Sequence, residues 1–276
     1  MVSGRVLVTG GDGQVGAALR ALLPHGDFRS HDELDVTDAA AVTAAVEGAA
    51  VVVHAAAITN VDACEAEPEA AAAVNDGGTR LVADAARAAG ARVLYLSTDY
   101  VFSGDAAPYG EDDTTGPLNV YGRTKLAGEG HLDIERDLVV RTSWVFGDGR
   151  NFVRTILAAP PPLRVVDDQV GRPTSAAALA RALAALVGRP EVTGRLHVAG
   201  DGQPCSWADL AAAALAVAGR DVRVERVDSA SYAAGAGRVI APRPPDSTLQ
   251  LTRARELGLP LEDWRDSVAA YVRGIA

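Results

Sequence analysis

The stretch "RVLVTGGDGQVGAALRALL" constrains this chain more than any other. A β-branched run ends in glycine, and a segment with helical spacing follows at once. Between them, Gly11-x-Gly13-x-x-Gly16 and Gly10-x-x-Gly13-x-x-Gly16 both satisfy the dinucleotide fingerprint. That pattern demands a tight turn, close approach of backbone to a pyrophosphate, and close packing of helix on strand. The helix start then offers free N–H groups and partial positive charge to phosphates. A glycine-rich turn alone says little, but one that leaves a strand, opens a helix and begins a βαβ series points to nucleotide binding.

The alternation continues. "DFRS" reads as a weak second strand, "DAAAVTAAVEG" as a helix stopped by Gly48, and "AVVVHAAA" as a buried strand. "EPEAAAAVNDGGTRLVADAARAAG" reads as one long helix with Gly90 past its end. "ARVLYLST" and "DLVVRTSWVF" are two further strands. Such a series predicts an α/β fold, a Rossmann-type doubly wound parallel sheet with helices on both faces. Residues 1–146 form the NAD(P)-binding domain in this reading. Residues 147–276 form mainly a smaller C-terminal substrate lobe, and "GRLHVAG" returns a strand to the sheet near 195–199.

Composition narrows the function. A net charge of −10 disfavours nucleic acid and anionic membranes as partners. The two cysteines, Cys64 and Cys205, and the five histidines show no metal or redox spacing, so no metal site is expected. "GAAVVVHAAAIT" is too short to span a bilayer, and "MVSGRVLVTGG" lacks the pattern of a signal peptide. A cytoplasmic location is expected.

The end of the second strand selects the cofactor. Arg29 and Ser30 suit a 2′-phosphate, which favours NADP with NADPH preferred over NADH. Asp32 close by offers a ribose hydroxyl the alternative partner.

The chemistry is suggested by Thr98, Tyr121 and Lys125. Thr98 ends a predicted parallel strand, where ligands of such sheets bind. The loop after it is long enough for "PLNVYGRTKLAGE" to return as a helix beside the same strand end. Tyr121 and Lys125 lie at i and i+4, one helical turn apart. Hydride reduction of a ketone leaves an alkoxide that needs a proton. A phenol is a poor donor near neutrality, and a cation one turn away lowers its pKa. Thr98 can orient the carbonyl, and Lys125 can also hold the nicotinamide ribose.

With these residues placed, "TGGDGQVG", "LDVTD", "AAAITNVDACEAEP", "STDYVFSG", "PLNVYGRTKLAGE", "RTSWVFG", "VVDDQVGRPTSA" and "RPPDSTL" together resemble the dTDP-4-dehydrorhamnose reductase family of extended short-chain dehydrogenases. The matches run in order from Thr9 to about Leu249, with "WRDSV" near the end. The resemblance implies NAD(P)H-dependent reduction of the C4 ketone of a dTDP-4-keto-6-deoxysugar, dTDP-4-dehydrorhamnose to dTDP-L-rhamnose foremost. By the same resemblance Gly13, Gln14 and Val15 form the pyrophosphate loop. Asp35, Val36, Ala57, Ile58 and Thr59 line the cofactor, while Thr98, Asp99, Tyr100 and Trp144 face the substrate. Trp144 equally suits a buried core aromatic.

The chain departs from the family pattern in places. Ser30-His31 stand where relatives often carry Asp-Arg, and Ile58 where they carry Tyr or His. Ala18 replaces a glutamate that in some relatives supports a magnesium-bridged dimer, so that dimer is not expected, and the oligomeric state stays open. "ILAAPPPLRVV" is short for the family. A 4-ketoreductase for another secondary-metabolite deoxysugar, and an NADP-binding regulatory subunit of the methionine adenosyltransferase type, are the alternatives.

Overall fold

The computed structural model describes residues 4–237 and 239–275. The first three residues of the stretch read for a leader lie outside them. Six parallel strands make the central sheet: β1 (Arg5–Thr9), β2 (Asp27–Arg29), β3 (Ala49–His54), β4 (Arg92–Thr98), β5 (Leu138–Thr142) and β6 (Gly194–His197). Their spatial order is β6-β5-β4-β3-β1-β2. The chain leaves β1 toward one side for β2 and then crosses to the other for β3. That reversal opens a crevice beyond the carboxyl ends of β1 and β3, the usual ligand position in such sheets.

The central strands carry unbroken apolar runs because both faces are covered. Val6, Val8, Val53, Leu94, Leu138 and Val140 pack on one side with Leu179, Leu183 and Leu186 of helix α5 (Ala176–Val187). Leu7, Val52, Val93 and Val139 pack on the other with Val42 of helix α2 (Ala39–Val46) and Val82 of helix α3 (Thr79–Ala89). The expected doubly wound α/β architecture is what the chain forms.

Two expected elements are interrupted, each at the crevice. The long helix before Gly90 runs on from Pro68 but is interrupted by a π-helical turn at Ala73–Gly78, between Pro68–Ala72 and α3, and a separate short helix, Val61–Ala66, precedes it. A π turn widens the helix by one residue and often marks a functional site. Here it lets the buried Asn75 side chain accept from the Ile58 N–H at 2.8 Å and donate to the Ile58 carbonyl at 3.0 Å. The stretch "DLVVRTSWVF" likewise stops as a sheet strand at Thr142 and resumes at Val145–Phe146, paired with Thr174–Ser175. The break is Trp144, whose φ of +46° lies in the left-handed region.

Beyond β5 the chain is less regular. Leu163–Val166 pairs with Val224–Val227. Helix α6 (Trp207–Val217) starts on a capping box in which Ser206 and Asp209 satisfy each other's backbone N–H groups. Helix α7 (Trp264–Ile275) packs against α6 around Trp264 and Val268. Among the described residues no helix is long and apolar enough to cross a membrane.

Candidate active site

A cavity of about 1350 Å³ lies in the crevice. The glycine turn forms one end of it. Gly10 has φ +69°, and a Cβ there would fall 2.8 Å from the Ala56 nitrogen. At Gly16 a Cβ would sit 2.4 Å from the Gly10 carbonyl, so any side chain would push helix α1 (Gln14–Arg20) off β1. Gly13, Gln14 and Val15 line the wall beside them, and the buried Gln14 Oε1 has no hydrogen-bond partner among the described residues. Asp35, Val36, Ala57, Ile58 and Thr59 line it further along, with the Ile58 backbone held by Asn75. The bare backbone cradle at Gly10 and Gly16 fits the pyrophosphate of a dinucleotide.

Arg29 and Ser30 are placed differently from expectation. The Arg29 guanidinium pairs with Asp27 at 2.7 Å, a carboxylate that also holds Arg5 at 2.6 Å. Ser30 turns its backbone N–H to Glu33 at 2.9 Å. With its cation drawn back along the strand, Arg29 leaves this part of the wall to His31, Leu34, Asp35 and Val36. What Arg29 gives the turn is its carbonyl, which accepts from the Gly11 N–H at 2.8 Å.

At the other end, helix α4 (Val120–Glu129) brings Tyr121 and Lys125 against the tip of β4. Asn119 caps the helix through the Gly122 N–H at 2.7 Å and reaches the Pro242 carbonyl at 2.9 Å. The glycine after Tyr121 is required by close approach, since a Cβ on Gly122 would lie 2.1 Å from the Tyr100 carbonyl. The helix can therefore sit tight on the turn that carries Asp99 and Tyr100. Thr98, Tyr121 and Lys125 thus share the cavity wall.

Burial dominates the ionisation of the site. It holds the Lys125 ammonium down to about 7, against a smaller opposing pull from Glu129. Lys125 Nζ lies 4.0 Å over the Tyr95 ring, a cation–π position that offsets part of the desolvation. The Tyr121 phenol is raised above its ordinary value, again by burial. The expected lowering of Tyr121 by Lys125 is therefore absent from this geometry: burial sets the direction, and the Thr98 hydroxyl is the group that works the other way. Asp99 is pushed up to about 7 by burial, opposed by its hydrogen bonds to Ser247 and Thr98.

Trp144 lines the cavity and stacks on Trp207 at 3.7 Å between centroids and 9° between planes. Its Nε1 is buried and has no hydrogen-bond partner among the described residues. A bulky residue at positive φ costs free energy, so the surrounding packing must enforce it.

A family model described as the RmlD substrate binding domain matches residues 4–276. The dTDP-4-dehydrorhamnose reductase of Mycolicibacterium smegmatis is 40% identical over 97% of this chain and 86% of its own length. The chain belongs to the dTDP-4-dehydrorhamnose reductase family. A Streptomyces antibioticus protein named "Probable dTDP-4,6-dihydroxy-2-methyloxan-3-one 4-ketoreductase" is 39% identical over 96% of this chain and 93% of its own. The crystal structure of dTDP-4-dehydrorhamnose reductase from Bacillus anthracis in complex with NADP superposes with a TM-score of 0.89 at 32% identity, covering 99% of this chain and 100% of that one.

Four members of this site escaped the sequence reading: Asn75, Trp207, Arg243 and Ser247. Trp207 and Arg243 line the cavity, and Arg243 pairs with Asp62 at 2.8 Å. Arg243 and Ser247 do lie in "RPPDSTL", so the motif held the signal, but nothing in the sequence says which strand end it folds against. Among the described residues no cluster of His, Cys, Asp and Glu is arranged to hold a metal ion.

Proposed function

We propose that the protein reduces the C4 ketone of a dTDP-4-keto-6-deoxysugar with NADPH, converting dTDP-4-dehydrorhamnose to dTDP-L-rhamnose. What carries this is the convergence of Thr98, Tyr121 and Lys125 at one strand end, in the same cavity as the Gly10–Gly16 cradle. Bound NADPH supplies the hydride. Tyr121 gives its proton to the alkoxide oxygen forming at C4, a general-acid step worth about 10²–10⁴-fold. Thr98 orients that oxygen. Lys125 holds the nicotinamide ribose and, when charged, stabilises the phenolate that remains.

Gly10, Gly13, Gln14, Val15 and Gly16 hold the pyrophosphate, and Asp35, Val36 and Ala57 to Thr59 line the adenosine and ribose path. His31, on the wall, takes the position by the 2′-phosphate expected of Arg29. Asp99, Tyr100 and Trp144 face the sugar nucleotide, and residues 147–276 supply most of the substrate side.

The relative named as a 4-ketoreductase of another deoxysugar supports a second version, in which the same residues reduce a different dTDP-4-keto-6-deoxysugar. NADPH oxidation with dTDP-4-keto-6-deoxyglucose, with and without a 3,5-epimerase, separates them. Turnover only with the epimerase is expected. Turnover without it selects the second version. Bound NADPH with no turnover in either case overturns both.

A further inference from the structure

Thr98 is asked to do more than one hydroxyl can do at once. It has one O–H to give and two lone pairs with which to accept. One lone pair takes the Tyr100 N–H at 3.2 Å, as the cap of the short helical turn Asp99–Val101. The O–H points to Asp99 Oδ1 at 3.1 Å. While Asp99 is a carboxylate it can only accept, so it keeps the Thr98 proton and leaves none for a substrate carbonyl.

The far side of Asp99 is occupied as well. Ser247, buried and 148 residues away in sequence, donates its O–H to Asp99 Oδ2 at 2.5 Å. A proton arriving on Asp99 therefore meets a donor at Oδ2 and settles on Oδ1, facing Thr98. There the carboxylic O–H donates to Thr98 Oγ1, fills its second lone pair, and turns the Thr98 O–H outward to the cavity.

We propose that Asp99 carries a proton when the protein reduces its substrate, and that Ser247 is the positioning residue that places this proton on the oxygen facing Thr98. This rests on the ketone-reductase function proposed above. No proton is consumed: ionised Asp99 binds the Thr98 hydroxyl inward, protonated Asp99 releases it toward the ketone oxygen, and the proton of the product alcohol still comes from Tyr121.

The surroundings permit it. The titratable and charged groups facing Asp99 are the Tyr100 phenol on its own turn, the Tyr121 phenol on α4, and Arg243 from the C-terminal segment beside Tyr100. Among the described residues no cation forms an ion pair with the Asp99 carboxylate. Burial favours the neutral form, and Ser247 and Thr98 oppose it, which brings Asp99 to about 7, where a modest change in hydrogen bonding decides its state.

The test is the pH profile of kcat for the full chain with NADPH and the ketosugar. Wild type is expected to lose kcat as pH rises through the ionisation of Asp99. Ser247→Ala removes a hydrogen bond to the charged form, so its alkaline limb moves up by about one pH unit, and Ser247→Thr restores it. A merely structural Ser247 would lower kcat without moving the limb. In Asp99→Asn the Asp99 part of the limb is lost, so that adding Ser247→Ala no longer moves what Lys125 leaves. An infrared carboxylic-acid band, lost with rising pH in wild type and missing from Asp99→Asn, reads the same proton without substrate. Wild-type turnover with the limb unmoved in Ser247→Ala, or no such band, overturns this inference alone; wild type that binds NADPH and never turns over refutes the proposed reaction itself.

Discussion

At its C-terminal end, α4 buries Glu129 against β5, where Arg141 meets it through Nε at 2.9 Å and Nη2 at 2.7 Å, and Ser97 donates at 2.5 Å. One turn earlier the same helix buries Lys125 with no carboxylate in ion-pair contact among the described residues, and across the cavity Asp99 is buried with hydroxyl and backbone N–H partners in place of a cation. Both regions withdraw charge from water. In the first the geometry is bidentate and every oxygen of Glu129 is used, so the desolvation is compensated. In the second it is not, and Lys125 and Asp99 are both displaced to about 7. The paired cluster fixes where α4 lies. The unpaired one leaves groups that can change protonation near neutrality, which acid–base chemistry requires.

The contrast breaks most visibly at Tyr121. Tyr121→Phe is expected to lower kcat by about 10²–10⁴-fold while leaving NADPH affinity nearly unchanged, measured by NADPH oxidation and by cofactor titration. Retained turnover would remove Tyr121 as the acid. At the other end of the helix, Glu129→Ala strands Arg141 as an uncompensated buried charge. A stability loss of about 3–5 kcal/mol in chemical denaturation is expected. A loss below about 1 kcal/mol, the level of an exposed pair, would mean that the cluster does not anchor α4. The smallest effect belongs to Arg29, whose guanidinium serves Asp27. Arg29→Ala is expected to change NADPH affinity less than about fivefold. A selective loss of NADPH over NADH of about tenfold or more would return that guanidinium to the 2′-phosphate.

The parts legible in the sequence are those written in local spacing. Gly10, Gly13 and Gly16 announce themselves because turn, strand and helix are contiguous, and Tyr121 with Lys125 because four residues make a helical turn. The alternation of apolar runs gave the sheet for the same reason. Arg29 shows where local reading stops: its neighbourhood is right for a phosphate, but Asp27, shared with Arg5, takes the cation. The π turn at Asn75 was hidden because its cause is tertiary, the need to hold the backbone of Ile58. Ser247 was hidden because its partner is 148 residues away. The tuning of Tyr121 was misjudged since a spacing shows a neighbouring cation but not how deeply both groups are buried.

Lys125 tests the contrast most directly. Burial lowers its pKa from 10.5 to about 7, so the unfolded chain binds the extra proton more readily between those values. Stability should therefore rise with pH across that window, and the penalty of burying the ammonium is greatest at its acid end. Lys125→Met removes the penalty. Urea unfolding beside wild type, with kcat recorded on the same samples, should show a variant that is more stable near neutrality, an advantage that shrinks toward pH 10.5, and turnover that is lost. A variant that is less stable than wild type, or one that keeps its turnover, would contradict the division of α4 into a structural end and a chemical one.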